Sequence, residues 1–179
     1  MPDGLITDSG RVLMARLLKG DLAEGITHCA VGDGDASFTD PLYPPAPSRT
    51  QTALRHERAR KRSYKRAYLR EDPAGQAALV VNGVHYLETA VPTNILGAYF
   101  LFDETEANGI TVKEYGFFGG GVAYVPGHAS DYAEGGVYHA AANPSGKVLA
   151  PGYLYEVKNL PDFHKAADTR IELVGVIRV

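Results

Sequence analysis

The side chains that could do chemistry in this chain are six histidines (His28, His56, His85, His128, His139, His164), one cysteine (Cys29), six serines and scattered carboxylates. A zinc site needs three or four converging N or S ligands, usually as close pairs in sequence. No pair of these histidines has ligand spacing, so each reads as a surface or interfacial imidazole. Asp33-Gly34-Asp35 with Asp40 downstream could offer hard oxygen ligands to calcium, but EF-hand spacing is absent and a turn held by Asp side chains is the plainer reading. None of the serines sits in a Gly-x-Ser-x-Gly elbow, and Cys29, inside a short apolar run, reads as core filler. A phosphate loop fails on both sides: Gly146-Lys147 is followed by Val148, and Ala141 stands where the leading Gly belongs. Gly119-Gly120-Gly121 is followed by no helical pattern that could present its N-terminus to a phosphate. Glu114 and Glu156 lie in strand candidates and could form an acid/base pair across a cleft, an arrangement that also arises by chance in β proteins. The expectation is a protein that is not an enzyme, with no catalytic residue, no cofactor and no metal.

Charge is the stronger signal. Arg55 to Arg70 holds eight basic residues (Arg55, Arg58, Arg60, Lys61, Arg62, Lys65, Arg66, Arg70) against the single acid Glu57. The window is therefore +7 in a chain of net charge −3, which leaves −10 on the remainder. Such a stripe can bind nucleic acid, pair with an acidic neighbouring subunit, or form a solvated face. The acidic remainder would repel a phosphate backbone, so docking against an acidic neighbour is the preferred expectation. In that reading Arg58, Arg60 and Arg62 are docking cations, replaceable without loss of the fold.

The elements that must position these residues are mostly strands. Asp8–Lys19 is helical by its apolar spacing (Val12, Leu13, Met14, Leu17, Leu18), with Thr7 or Asp8 as N-cap and Gly20 as terminator. Ile26–Val31 runs into the tight turn Gly32-Asp33-Gly34. A proline-rich loop covers 38–50, where Pro41, Pro44, Pro45 and Pro47 forbid regular structure. The basic stretch alternates like a strand that becomes apolar toward Leu69, with a helix from Gln51 to about Arg62 left open. Eight further strand candidates follow: Leu79–Val81, Val84–Val91, Ile95–Phe102, Ile110–Phe118, Val122–Val125, Val137–Ala141, Tyr153–Leu160 and Arg170–Val179. In the last, Ile171, Leu173, Gly175, Ile177 and Val179 share one parity and Arg170, Glu172, Val174, Val176 and Arg178 the other. The fold class is α+β, mostly β: an N-terminal helix followed by an antiparallel β-sandwich or barrel-like domain, a single domain over 1–179. At 179 residues and 19.2 kDa such a domain can bury a core without disulfides, which one cysteine cannot form. Met1-Pro2-Asp3-Gly4 lacks a signal peptide's basic and apolar regions, and no apolar run reaches the roughly 18 residues of a membrane span. A soluble protein made in the cytosol, without membrane partners, is expected.

Four blocks in order carry a resemblance: Ile6-Thr7-Asp8-Ser9-Gly10-Arg11; Ile26 to Gly34; Gln51-Thr52-Ala53-Leu54 with Glu57 and Arg58; and Val112-Lys113-Glu114-Tyr115-Gly116-Phe117-Phe118. With the closing Asp168 to Leu173 they resemble the N-terminal attachment domain of the tail-collar fibre family of tailed bacteriophages. The family pattern is T-D-x-G at a helix start, V-G-x-G after the first strand, x-T-x-L before an Arg-containing strand, and E-x-G near the middle. The resemblance implies a virion structural protein of the tail or baseplate, made in the host cytoplasm. It implies other tail or baseplate proteins and fibre subunits as partners, a homotrimer, and no nucleic acid. Fibres of that family continue into a shaft and tip, whereas this sequence ends at Val179 with a denser basic stretch, which favours a fibre-attachment or baseplate adaptor role. The rival reading is a carbohydrate-binding or lytic tail module, in which some of the 11 tyrosines stack on sugar rings, weakened by the absence of Trp.

Overall fold

The computed structural model describes residues 4–124, 137–139 and 148–179. His128, Ser130, Ala141, Ser145, Gly146 and Lys147, together with the ends of two strand candidates at Val125 and Ala140-Ala141, lie outside the described residues.

Helix α1 spans Asp8–Lys19. Thr7 holds its first turn, accepting a hydrogen bond from the Gly10 N–H at 2.9 Å. Gly20 ends it in the left-handed region at φ 83°, its N–H donating to the Leu17 carbonyl at 3.1 Å. The strands are β1 (Leu5–Ile6), β2 (Ile26–Gly32), β3 (Glu57–Arg62), β4 (Lys65–Glu71), β5 (Leu79–Val81), β6 (Val84–Thr89), β7 (Ile95–Phe102), β8 (Thr111–Gly119), β9 (Ala123–Tyr124), β10 (Val137–His139), β11 (Val148–Ala150), β12 (Tyr153–His164) and β13 (Ile171–Arg178).

They form an antiparallel sandwich. One sheet runs β1-β12-β8-β2-β3-β10, the facing one β13-β7-β4-β6-β5, and β9-β11 make a small ribbon. Between the two large sheets Phe100 of β7 stacks on Phe117 of β8 with centroids 5.4 Å apart, among Leu13, Ile26, Cys29, Ala98, Tyr155 and Ile177. A neighbouring cluster joins Val31 and Ala59 to Phe102, Ile110 and Val112. The six-stranded sheet is also covered on its far side, where Ala30, Phe118, Leu154 and Val157 pack under Leu54. One α+β, mostly β architecture with an N-terminal helix results, as the strand periodicity predicts.

Three details depart from the sequence reading. The basic stretch is two strands, not one: Ser63 donates from its N–H to the Thr27 carbonyl at 2.8 Å and Tyr64 to the Tyr99 carbonyl at 3.0 Å, so the chain crosses from one sheet to the other there. β12 continues past Leu160 to His164, because its register against β8 slips between Asn159 and Phe163 and Pro161 falls where no ladder donor is needed. β1 and β11 leave no legible pattern in two or three residues.

Candidate functional site

The two halves of the basic stretch have different fates. In β3, Arg60 stands opposite Ala30 and Lys61 opposite Cys29, so their side chains leave opposite faces of the sheet. Both faces are covered. Arg60 is 2% exposed, its guanidinium 4.0 Å above the Phe118 ring; it donates to both Glu57 carboxylate oxygens at 2.8 and 2.7 Å and to the Pro151 carbonyl at 2.8 Å. Lys61, 4% exposed, pairs with Glu106, which also accepts the Asp103 N–H at 2.9 Å. Arg58 pairs with Asp33 at 2.7 Å, Arg55 with Asp35 at 3.4 Å and Arg62 with Glu24 at 3.7 Å. This corrects the expectation of a replaceable docking cation at Arg60, whereas Arg58 is half-buried and Arg62 meets Glu24 across two surface side chains. At its centre Arg60 and Lys61 are internal ion pairs, because a strand covered on both faces must neutralise the charges it buries.

In β4 the cations face solvent. Lys65 pairs with Glu88 at 2.6 Å across two exposed side chains, while Arg66 is exposed with no carboxylate partner among the described residues and Arg70 is exposed near the Asp72 carboxylate. Arg62, Ser63, Tyr64, Lys65 and Arg66 line an open polar hollow of about 510 Å³.

The carboxylates Glu114 and Glu156 do not form an acid/base pair. Glu114 is fully buried and accepts the backbone N–H groups of Arg55 at 3.1 Å and His56 at 2.8 Å. Burial pushes its carboxyl above the usual range, against the pull of those two donors. Glu156 sits opposite Phe117, whereas Glu114 sits opposite Asn159. Glu156 instead helps to line a cleft of about 640 Å³ between the β12 side of one sheet and the β13 edge of the other. The wall on the β13 side is Val174, Val176 and Arg178, and Arg178 is tied to the Glu71 carboxylate and, at 2.8 Å, to the Tyr86 hydroxyl. Tyr86 and Tyr155 border the cleft with only 5% and 3% of their surface exposed, too little ring face to stack on a sugar.

The remaining candidates are structural. Cys29 is buried in the core and free, and burial pushes its thiol up. Asp35 caps its own turn through the Ser37 N–H at 2.9 Å, and Asp40 does the same for Leu42 at 2.9 Å. His56 contacts Asp33 at 2.6 Å, and the Nδ1 of His85 lies 2.8 Å from the Ala77 carbonyl. His28 corrects the surface-imidazole expectation: it is 3% exposed, beside Thr27 and Tyr124. Burial, with Arg60 and Arg62 nearby, lowers its pKa to about 3. Among the described residues no three His, Cys, Asp or Glu side chains converge as a metal site would require.

The sequence blocks singled out above meet in space. Thr7 donates from its hydroxyl to the Leu154 carbonyl, and a Cβ on Gly10 would come within 2.4 Å of the Tyr155 carbonyl oxygen, so only glycine lets α1 lie on β12. A Cβ on Gly32 would stand 2.7 Å from the Glu114 carboxylate, and one on Gly116 would collide with Leu154 at 2.7 Å and crowd Leu54 at 3.1 Å. The first block thus clamps β12, and the other three lock onto one another around Glu114. The sequence reading did not find Lys165, fully buried, whose ammonium donates to the Asp103 carbonyl at 2.9 Å and Asn108 at 3.0 Å. Nothing in its neighbourhood in sequence marks it. No protein-family model matches the chain, and no curated protein matches it.

Proposed function

We propose that this chain is a structural component of a phage or phage-like contractile tail, acting as a fibre-attachment or baseplate adaptor domain. The observation that carries the reading is the interlocking of the resemblance blocks. Thr7 and Gly10 seat the helix on β12, Gly32 makes room for Glu114, and Glu114 with Gly116 receives the Leu54-Arg55-His56 turn. Residues set far apart in sequence in the family's order therefore do one joint job, which is what a shared scaffold requires and unrelated turn glycines do not.

The docking face belongs to β4 rather than to the whole stripe. Arg66 and Arg70 are exposed, Arg66 without an acid partner among the described residues, and Lys65 lines the same open hollow as Arg66. Exposed rim cations of this kind steer an acidic neighbour and fix its register while apolar contacts supply most of the affinity. The test is to label purified particles from the source organism with antibody against the chain and view them by negative-stain electron microscopy. Label at the tail end is the expected result, and Arg66→Glu with Arg70→Glu lowers its occupancy without unfolding the protein. Label confined to soluble cell fractions, with no particle carrying it, overturns the reading.

A further inference from the structure

Strand β13 closes one side of the five-stranded sheet. All eight of its residues register against β7, from Ile171 opposite Phe102 to Arg178 opposite Ile95, without a bulge. No strand among the described residues pairs with its outer side. Edge strands of this length are normally blunted by proline, lysine, a bulge or shortening. Ile171 to Val179 has no proline, no lysine and no bulge, and its only charges are Glu172 and Arg178.

The order of its side chains supplies a reason. Counted outward from Gly175, Val174 answers Val176, Leu173 answers Ile177, Glu172 answers Arg178 and Ile171 answers Val179. Two such strands laid antiparallel with their Gly175 residues opposed set apolar against apolar and each Glu172 against the partner's Arg178. Directly opposed residues share a face, and opposite charges so placed attract while like charges repel. A slip of one residue in either direction puts Glu172 or Arg178 against an aliphatic side chain, so the register is specified. The cleft of about 640 Å³ runs beside β13, with Val174, Val176 and Arg178 as one wall and Ile6, Tyr155, Glu156 and the β5–β6 turn of the same chain as the others. Glu172 and Arg178 are both exposed, Glu172 accepting from the Tyr64 hydroxyl and Arg178 donating to Glu71 and Tyr86 within the chain.

We infer that the chain pairs with a second copy of itself through β13, joining the two five-stranded sheets into one continuous sheet across a twofold axis. The inference goes beyond the tail reading and stands on the strand alone; it gives twofold contact where the family resemblance implies threefold. Light scattering on the purified full chain at high micromolar concentration tests it. A mass of twice 19.2 kDa is expected, and a monomer or a trimer overturns the inference. Glu172→Arg sets like charges opposite each other at both symmetry-related pairs and weakens the dimer about tenfold. Adding Arg178→Glu restores the attraction and brings dissociation back toward that of the unaltered chain. Val174→Lys, at a half-buried position opposite Tyr99, weakens it independently. A dimer indifferent to Glu172→Arg and Val174→Lys, or a charge-swapped double variant that folds by circular dichroism yet stays as weak as the single one, overturns the assignment to β13.

Discussion

β3 and β4 are adjacent in sequence and alike in composition, each a short strand loaded with arginine and lysine, yet one is interior and the other surface. In β3 Arg60 and Lys61 are buried on opposite faces, each against its own carboxylate, Glu57 and Glu106. In β4 the side chains of Lys65 and Glu88 are 44% and 42% exposed, and Arg66 and Arg70 reach solvent. Composition therefore does not decide what a charge does; cover does. A charge under a covered face is part of the scaffold and leaves its partner stranded if removed, whereas one on an open face is available to a neighbour.

The contrast is sharpest at Arg60. Arg60→Ser strands the Glu57 carboxylate and the Pro151 carbonyl and is expected to cost about 3–5 kcal/mol in urea unfolding, while Arg66→Ser stays within about 0.5 kcal/mol. Equal costs would break the comparison. Lys61→Met is next, at about 3 kcal/mol, because Glu106 keeps a buried charge. Combining it with Glu106→Leu is expected to recover part of that loss in a double-mutant cycle, since removing a whole buried pair costs less than halving it.

The cations of β3 also reach His28, which gives a pH test. Its folded pKa, lowered to about 3, lies below the ordinary 6.5, so the unfolded chain binds the proton more readily. The stability it contributes is complete above pH 6.5 and is lost as pH falls toward 3, by about 2 kcal/mol between pH 7 and pH 5. Unfolding midpoints measured across that range show the slope, and His28→Gln flattens it. A small effect is expected at Lys65→Ala, below about 1 kcal/mol and erased by high salt, as for any exposed pair. A salt-resistant loss there would place β4 in the scaffold with β3.

Much of the fold was legible because its signals are local. Thr7, the apolar spacing of α1 and Gly20 lie within one segment, and the helix forms over Asp8–Lys19 as they require. The Ile95–Phe102 strand likewise has the bounds that its apolar run predicts. The Asn82-Gly83 turn, with φ of 52° and 80°, joins β5 to β6 as the short gap between the two strand candidates demands. The β12 bulge at Pro161 was not legible, since proline alone argues for a strand end and only the ladder with β8 shows where a missing donor is harmless.

By itself the sequence determined the helix, most of the longer strands and the two-faced character of the final one, because backbone preference and side-chain period act over a few residues. Which charges are buried was decided by the tertiary structure. Only Glu57 is near its partner in sequence; Asp33, Asp35, Glu24 and Glu106 reach β3 and the turn before it from 20 or more residues away. The same holds for Lys165, two of whose acceptors lie far away in sequence at 103 and 108. Burying a charge depends on what covers both faces of its strand, and that cover comes from parts of the chain that no local window contains.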